Sequence, residues 1–141
     1  MDTRQANETW ESLLTAHATL MRRFAAKDVW QAASIREYDV LYTLSKCDSP
    51  QRLSDLQDHV LLSQPALSRL VDRLVERGLV DRCGDEHDAR ARRVSLTEAG
   101  RELQRGIGRL HARDVADAMS ALTTEELAQL VELTSKLSEQ K

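Results

Sequence analysis

Residues 53–96 read LSDLQDHVLLSQPALSRLVDRLVERGLVDRCGDEHDARARRVSL, and the change of apolar period inside this stretch restricts the fold more than any other feature of the chain. After Ser63, the residues Leu67, Leu70, Val71, Leu74 and Val75 recur at three- and four-residue spacing, which lines them along one side of a helix. Ser68, Arg69, Asp72, Arg73 and Glu76 fall on the other side. Ser63 offers a side-chain oxygen to the free amides of the first turn, and Pro65 fits there because those amides lack a helical partner. Gln64 and Pro65 therefore stand at an exposed helix tip. Gly78, directly after Arg77, supplies the left-handed residue that commonly ends a helix. Beyond it the period becomes two: residues 79–83 and 93–96 alternate as short strands, separated by a charged tip that begins at Gly84. Upstream, Ser54 and Gln57 have capping-box spacing and open a short helix to about Val60, after which Leu61 and Leu62 turn the chain into Ser63. Helix, turn, helix and hairpin in this order is the layout of a winged helix-turn-helix.

The flanks are helical. Trp10, Leu13, Leu14, His17, Leu20, Met21 and Phe24 share one side of a helix over residues 7–27. A stripe that wide needs a partner surface, in the same chain or in a second copy. Ser34 and Glu37 form a second capping box, followed by Val40, Leu41 and Leu44 as a packing face that ends near Lys46. Residues 47–51, with Pro50, read as a linker. Thr97 and Glu98 begin a long helix carrying Leu103, Ile107, Leu110, Val115 and Met119; its Gly100, Gly106 and Gly108 weaken it or mark close packing. Thr123 and Glu126 make a third capping box before Leu127, Leu130, Val131 and Leu137. The expected fold is mostly α with a small two-stranded β-wing, in a single domain over residues 1–141. Residues 34–96 form the reading lobe. Residues 7–30 and 97–141 form a helical lobe that would make a dimerisation bundle when stacked on a second copy.

Composition narrows the function. Apolar residues make up 41% and charged residues 30% of 141 positions, as in a soluble protein. No apolar run approaches the ~18 residues of a membrane span, and the first ten residues lack the apolar centre of a signal peptide, so a cytoplasmic location is expected. Cys47 and Cys83 show no CxxC pairing, and His17, His59, His87 and His111 are scattered, so no disulfide framework, metal site or other cofactor is expected. Motifs of hydrolases, zinc proteases and phosphate-binding loops are absent, and an enzyme is not expected. The net charge of −3 opposes binding to phosphates unless basic groups are arranged locally. Residues 52–96 carry eight Arg against eight acids, whereas residues 97–141 carry six basic and eight acidic residues.

Two segments resemble the multiple-antibiotic-resistance regulator (MarR) family of bacterial winged-helix repressors. They are RLSDLQDHVLLSQPALSRLVDRLVERGLVDR at residues 52–82 and DARARRVSLTEAG at residues 88–100. The second carries the wing signature D-x-R followed by V-x-L-T-x-x-G. Residues 34–44, SIREYDVLYTL, are similar to the second helix of that family. The resemblance implies a homodimer whose two recognition helices enter successive major grooves of a pseudo-palindromic operator in double-stranded DNA. Carried over by position, Ser63, Gln64, Pro65, Ala66, Ser68 and Arg69 meet base edges and nearby phosphates, and Arg73 meets the backbone. Gln64 has the amide for adenine, and Arg69 suits guanine or a phosphate. In the wing, Arg90 matches the arginine that enters the minor groove and Asp88 the acid that orients it. Arg52 and Arg92 are further phosphate candidates. The resemblance also implies a small aromatic or phenolic effector, for which Trp10, His17, Met21, Trp30, Tyr38 and His111 are the candidates.

Two other readings compete. Arg69 and Arg73 also fit a solvated helix face paired with Asp72 and Glu76, in a winged helix that binds proteins instead of DNA. Cys47 or Cys83 could serve as the thiol of a redox-sensing regulator.

Overall fold

The computed structural model describes residues 1–84, 87 and 92–140. In chain order the elements are α1 (Thr3–Ala25), α2 (Ile35–Ser45), β1 (Gln51–Arg52), α3 (Leu53–Gln57), α4 (Gln64–Glu76), β2 (Val80–Gly84), β3 (Arg92–Leu96), α5 (Glu98–Met119) and α6 (Thr124–Ser138). The fold is mostly helical with one small antiparallel sheet, in the strand order β1-β3-β2. By packing, the chain divides into two units. Met1–Phe24 with His111–Lys141 form one, and Ala25–Leu110 the other.

The second unit is built around α4. Leu67, Leu70, Val71 and Leu74 are 0–4% exposed, so the three- and four-residue spacing does face a core. Val40, Leu41 and Leu44 of α2, Leu56 of α3, Val60, Leu79, Val80, Val94 and Leu96 complete that core. The hairpin pairs Val80 with Leu96 and Gly84 with Arg92, and its inward residues Val80, Val94 and Leu96 are buried. Gly78 takes φ +72°, a left-handed conformation that costs glycine little. Thr97 closes the junction after β3: its hydroxyl donates to the Gly78 carbonyl at 2.7 Å and accepts from the Gly100 amide at 3.0 Å. A Cβ on Gly100 would collide with the Leu79 carbonyl, so this glycine marks close packing between α5 and the sheet.

Three local features differ from the sequence-based expectation. The sheet has three strands, because Gln51 and Arg52 pair with Val94 and Arg93; two residues are too few to show alternation. That pairing also moves the start of α3. Arg52 is held extended at ψ 157°, and its amide donates to the Asp55 carboxylate at 2.9 Å. The helix therefore begins directly behind the strand, with Arg52 and not Ser54 at its cap, and ends at Gln57 short of Val60. Finally, α1 begins at Thr3, four residues before its apolar periodicity. Asp2 accepts from the Arg4 amide and Arg4 pairs with Glu8, each at 3.0 Å, which supports a polar first turn.

In the first unit, Phe24 is buried and meets His111 edge to face at 5.1 Å, and Arg23 lies 3.8 Å from Asp117. The Thr123 capping box is formed: Thr123 accepts from the Glu126 amide at 3.2 Å and Glu126 from the Thr123 amide at 2.8 Å. Helix α6 buries no residue. Trp10, Leu13 and Leu14 on α1, and Leu130, Val131, Leu133 and Leu137 on α6, are all exposed.

Candidate nucleic-acid interface

The tip of α4 is assembled as its sequence requires. Ser63 stays extended at φ −64°, ψ 157° and accepts from the Ala66 amide at 3.3 Å. Pro65, within the first turn, removes no helical hydrogen bond. Ser63, Gln64 and Pro65 are exposed, while Ala66 and Ser68 are half-buried. Burial of the Leu67, Leu70, Val71 and Leu74 face turns Arg69 and Arg73 outward, and Gln64 is exposed because it is the first residue of the helix. Asp72, which stands between the two arginines in sequence, is taken by Arg82 of β2. Among the described residues neither Arg69 nor Arg73 enters an ion pair. The alternative pairing with Asp72 and Glu76, the mark of a merely solvated face, is thus not formed. The two exposed guanidinium groups, about 40° apart around the helix, share its outer face, and the Gln64 amide stands exposed at its tip.

The other expected contacts are placed less completely. Arg52, half-buried, sits where β1 passes into α3, and Arg92 is exposed at the start of β3 beside the hairpin tip. Asp88 and Arg90, the wing pair, lie outside the described residues. Cys83 is exposed on β2 and Cys47 is half-buried with its thiol toward the Thr43 carbonyl at 3.3 Å; both are free thiols.

The effector candidates fall in both units. Trp10 is 60% exposed on α1, His17 is also exposed there, and Met21 is half-buried. Half-buried His111 belongs to the same unit. Desolvation lowers its pKa, and the negative charge of Asp114 opposes this to a smaller degree. In the other unit Trp30 and Tyr38 are buried, with ring centroids 5.6 Å apart. Tyr38 also stacks on Tyr42 at 5.9 Å, and Lys46 lies 4.6 Å above the Tyr42 ring. Burial raises the Tyr38 pKa, against a hydrogen bond with Gln104 that lowers it. Trp30 and Tyr38 are therefore packing residues of this unit, whatever else they contact.

Sequence spacing missed Arg77 and Glu37 as partners. Arg77 Nη1 donates to Glu37 Oε2 at 2.9 Å and Nη2 donates to the Ala32 carbonyl at 2.8 Å. Forty residues separate the pair, so no local pattern announces it. The Asp72–Arg82 tie is likewise invisible before the hairpin folds back.

A three-strand sheet with a capped, outward-facing helix before its hairpin defines a winged-helix protein. A profile of the MarR family matches residues 34–91. AbsC, a MarR family transcriptional regulator from Streptomyces coelicolor, is 26% identical, with a TM-score of 0.79 over 99% of this chain and 94% of its own. Two further structures share the fold. Bordetella bronchiseptica BpsR, studied for regulation of its DNA binding by 6-hydroxynicotinic acid, is 22% identical with a TM-score of 0.79, covering 94% of this chain and 99% of its own. A cysteine-to-serine mutant of Escherichia coli MarR, complexed with operator DNA, is 22% identical with a TM-score of 0.79, covering 97% and 98%. Over residues 34–91 the chain is similar to the MarR family, and over nearly its whole length it shares the fold of AbsC.

Among the described residues, no helix is long and apolar enough to cross a membrane.

Proposed function

We propose that this chain is a cytoplasmic, homodimeric, sequence-specific DNA-binding regulator that represses by occupying a promoter, and that a small aromatic or phenolic compound releases it. The observation that carries the DNA reading is the surface of α4, which exposes Gln64 at its tip and Arg69 and Arg73 on its outer face, with Asp72 diverted to Arg82. On this reading Ser63, Gln64, Pro65, Ala66, Ser68 and Arg69 approach base edges, and Arg73, Arg52 and Arg92 approach phosphates. Asp88 and Arg90 enter on the strength of the wing signature. Gln64 presents both a donor and an acceptor to adenine, and Arg69 presents a fork to guanine. The operator complex of the E. coli relative supports this reading.

Two copies are needed to span two half-sites about one helical turn, ~34 Å, apart. The uncovered apolar side chains Trp10 and Leu14 on α1 and Val131, Leu133 and Leu137 on α6 support a partner surface outside the winged helix. For the effector, the link between BpsR and 6-hydroxynicotinic acid supports a hydroxylated aromatic acid as the first chemistry to try. It would act only as far as it prefers the form that does not bind DNA, typically about 1–3 kcal/mol of coupling.

Footprinting on the duplex upstream of the chain's own coding region tests the proposal. Two protected half-sites, related by approximate two-fold symmetry and about 10 base pairs apart centre to centre, are expected. Uniform or absent protection would favour a winged helix that binds protein partners.

A further inference from the structure

We propose that Arg77 is a positioning residue for base reading: by holding Glu37 and the Ala32 carbonyl together, it sets the direction in which α4 presents Gln64 and Arg69. This rests on the DNA-binding role proposed for α4.

Arg77 is the C-cap of α4, with its own amide bonded to the Arg73 and Val75 carbonyls. Its guanidinium leaves the helix and divides between two acceptors, Glu37 Oε2 at 2.9 Å and the Ala32 oxygen at 2.8 Å. Glu37 is equally committed. Its other oxygen accepts from the Ser34 amide at 2.9 Å, while the Glu37 amide donates to Ser34 Oγ at 3.1 Å. One carboxylate thus closes the capping box of α2 and anchors the end of α4. The pair suits both helix ends, because a cation at a C-terminus and an anion at an N-terminus each oppose the local dipole. The Glu37 side chain is only 14% exposed and that of Arg77 35%, so this tie is better shielded from water than Asp72–Arg82, at 51% and 42%.

The apolar face of α4 fixes how deeply the helix packs, but apolar contact is non-directional. Gln64 is thirteen residues from Arg77, or about 20 Å along the axis at 1.5 Å per residue. A tilt of about 5° at the Arg77 end would move the tip by about 1.7 Å over that length. Hydrogen-bond distances tolerate only about half an ångström. A directional clamp at the far end of the helix therefore decides whether Gln64 and a base edge meet. Two of the five guanidinium N–H groups of Arg77 are committed to these acceptors, so a phosphate contact by Arg77 would fall to those that remain, which the salt dependence of binding tests.

The test compares wild type, Arg77→Met, Glu37→Gln and the double variant. Each is titrated with the duplex that wild type protects upstream of its coding region and with random duplex, across a range of salt. Glu37→Gln keeps an amide oxygen for Ser34 and removes the charge facing Arg77. Each single change should weaken operator binding about 5- to 20-fold by lowering the fraction of α4 correctly aimed. Random-duplex affinity should stay within about two-fold and the salt slope should be unchanged. The double variant should be no worse than the weaker-binding single, because the two residues act as one unit, and Arg77→Lys should recover part of the loss. Unchanged operator affinity in a folded Glu37→Gln variant overturns the proposal, even if Arg77→Met does not fold. A salt slope lowered by about one in Arg77→Met, with Glu37→Gln neutral, also overturns it and makes Arg77 a phosphate contact. Wild type that shows no preference between the duplexes would instead refute the DNA-binding role on which the inference stands.

Discussion

At the scale of single residues, Ser63, Pro65 and Gly78 each owe their role to one intrinsic property: a capping oxygen, a missing amide and a backbone free to turn left-handed. Arg69 and Arg73 depend on a neighbour instead, because Asp72 turns to Arg82 once β2 folds against α4. Gln64 carries the sharpest consequence. Replacing it with Ala should cost about 1–3 kcal/mol at one base pair of the operator while leaving random-duplex binding unchanged. Titration of operators substituted singly at each position checks this. His111 makes a prediction of another kind. Burial holds its folded pKa below the unfolded value, so the unfolded chain binds more protons as acidity increases. The stability linked to it is complete above about pH 6.5 and is lost as pH falls toward and through the lower folded value. Thermal midpoints of wild type and His111→Gln, taken at about pH 7.5 and about pH 5.5, should show a smaller acid loss in the variant. An equal loss in both would remove His111 as its source.

At the scale of elements, capping chemistry and period placed the helices and the hairpin closely. The boxes at Ser34 and Thr123 form as spaced. The one at Ser54 does not, because Arg52 is already committed to β1 and Asp55 caps its amide first. Here a tertiary contact, strand pairing across 41 positions between Arg52 and Arg93, overrides a local signal. Strand β1 itself has too few residues to leave a pattern. The α4 cap should matter both to stability and to function. Ser63→Ala removes the acceptor for the Ala66 amide and should lower unfolding free energy by about 1 kcal/mol in a denaturant titration. It should also fray the turn that carries Gln64, so operator affinity should fall while helix content changes little. Undiminished stability and affinity together would mean that water replaces the cap without loss.

At the scale of the whole molecule, amphipathic stripes on the first and last helices were visible in the sequence, but what covers them was not. A stripe records that an apolar surface exists and is silent about whether its partner is in the same chain. Within one chain Trp10, Val131, Leu133 and Leu137 remain 53–66% exposed, which is why a second copy is proposed to cover them. Val131→Glu with Leu133→Glu should convert a dimer to a monomer in analytical ultracentrifugation and abolish cooperative operator binding. A dimer that persists unchanged would place the interface elsewhere. The acidic balance of the whole chain, −3, leaves attraction to DNA to the reading face, where the proposed role of α4 is to engage duplex DNA. The most direct measurement is the dissociation constant for the upstream duplex and for random duplex across about 50–200 mM salt. A clear preference for the upstream duplex is expected, with affinity falling steeply as several counterions are released. Binding that is weak, indifferent to sequence and flat against salt would contradict it.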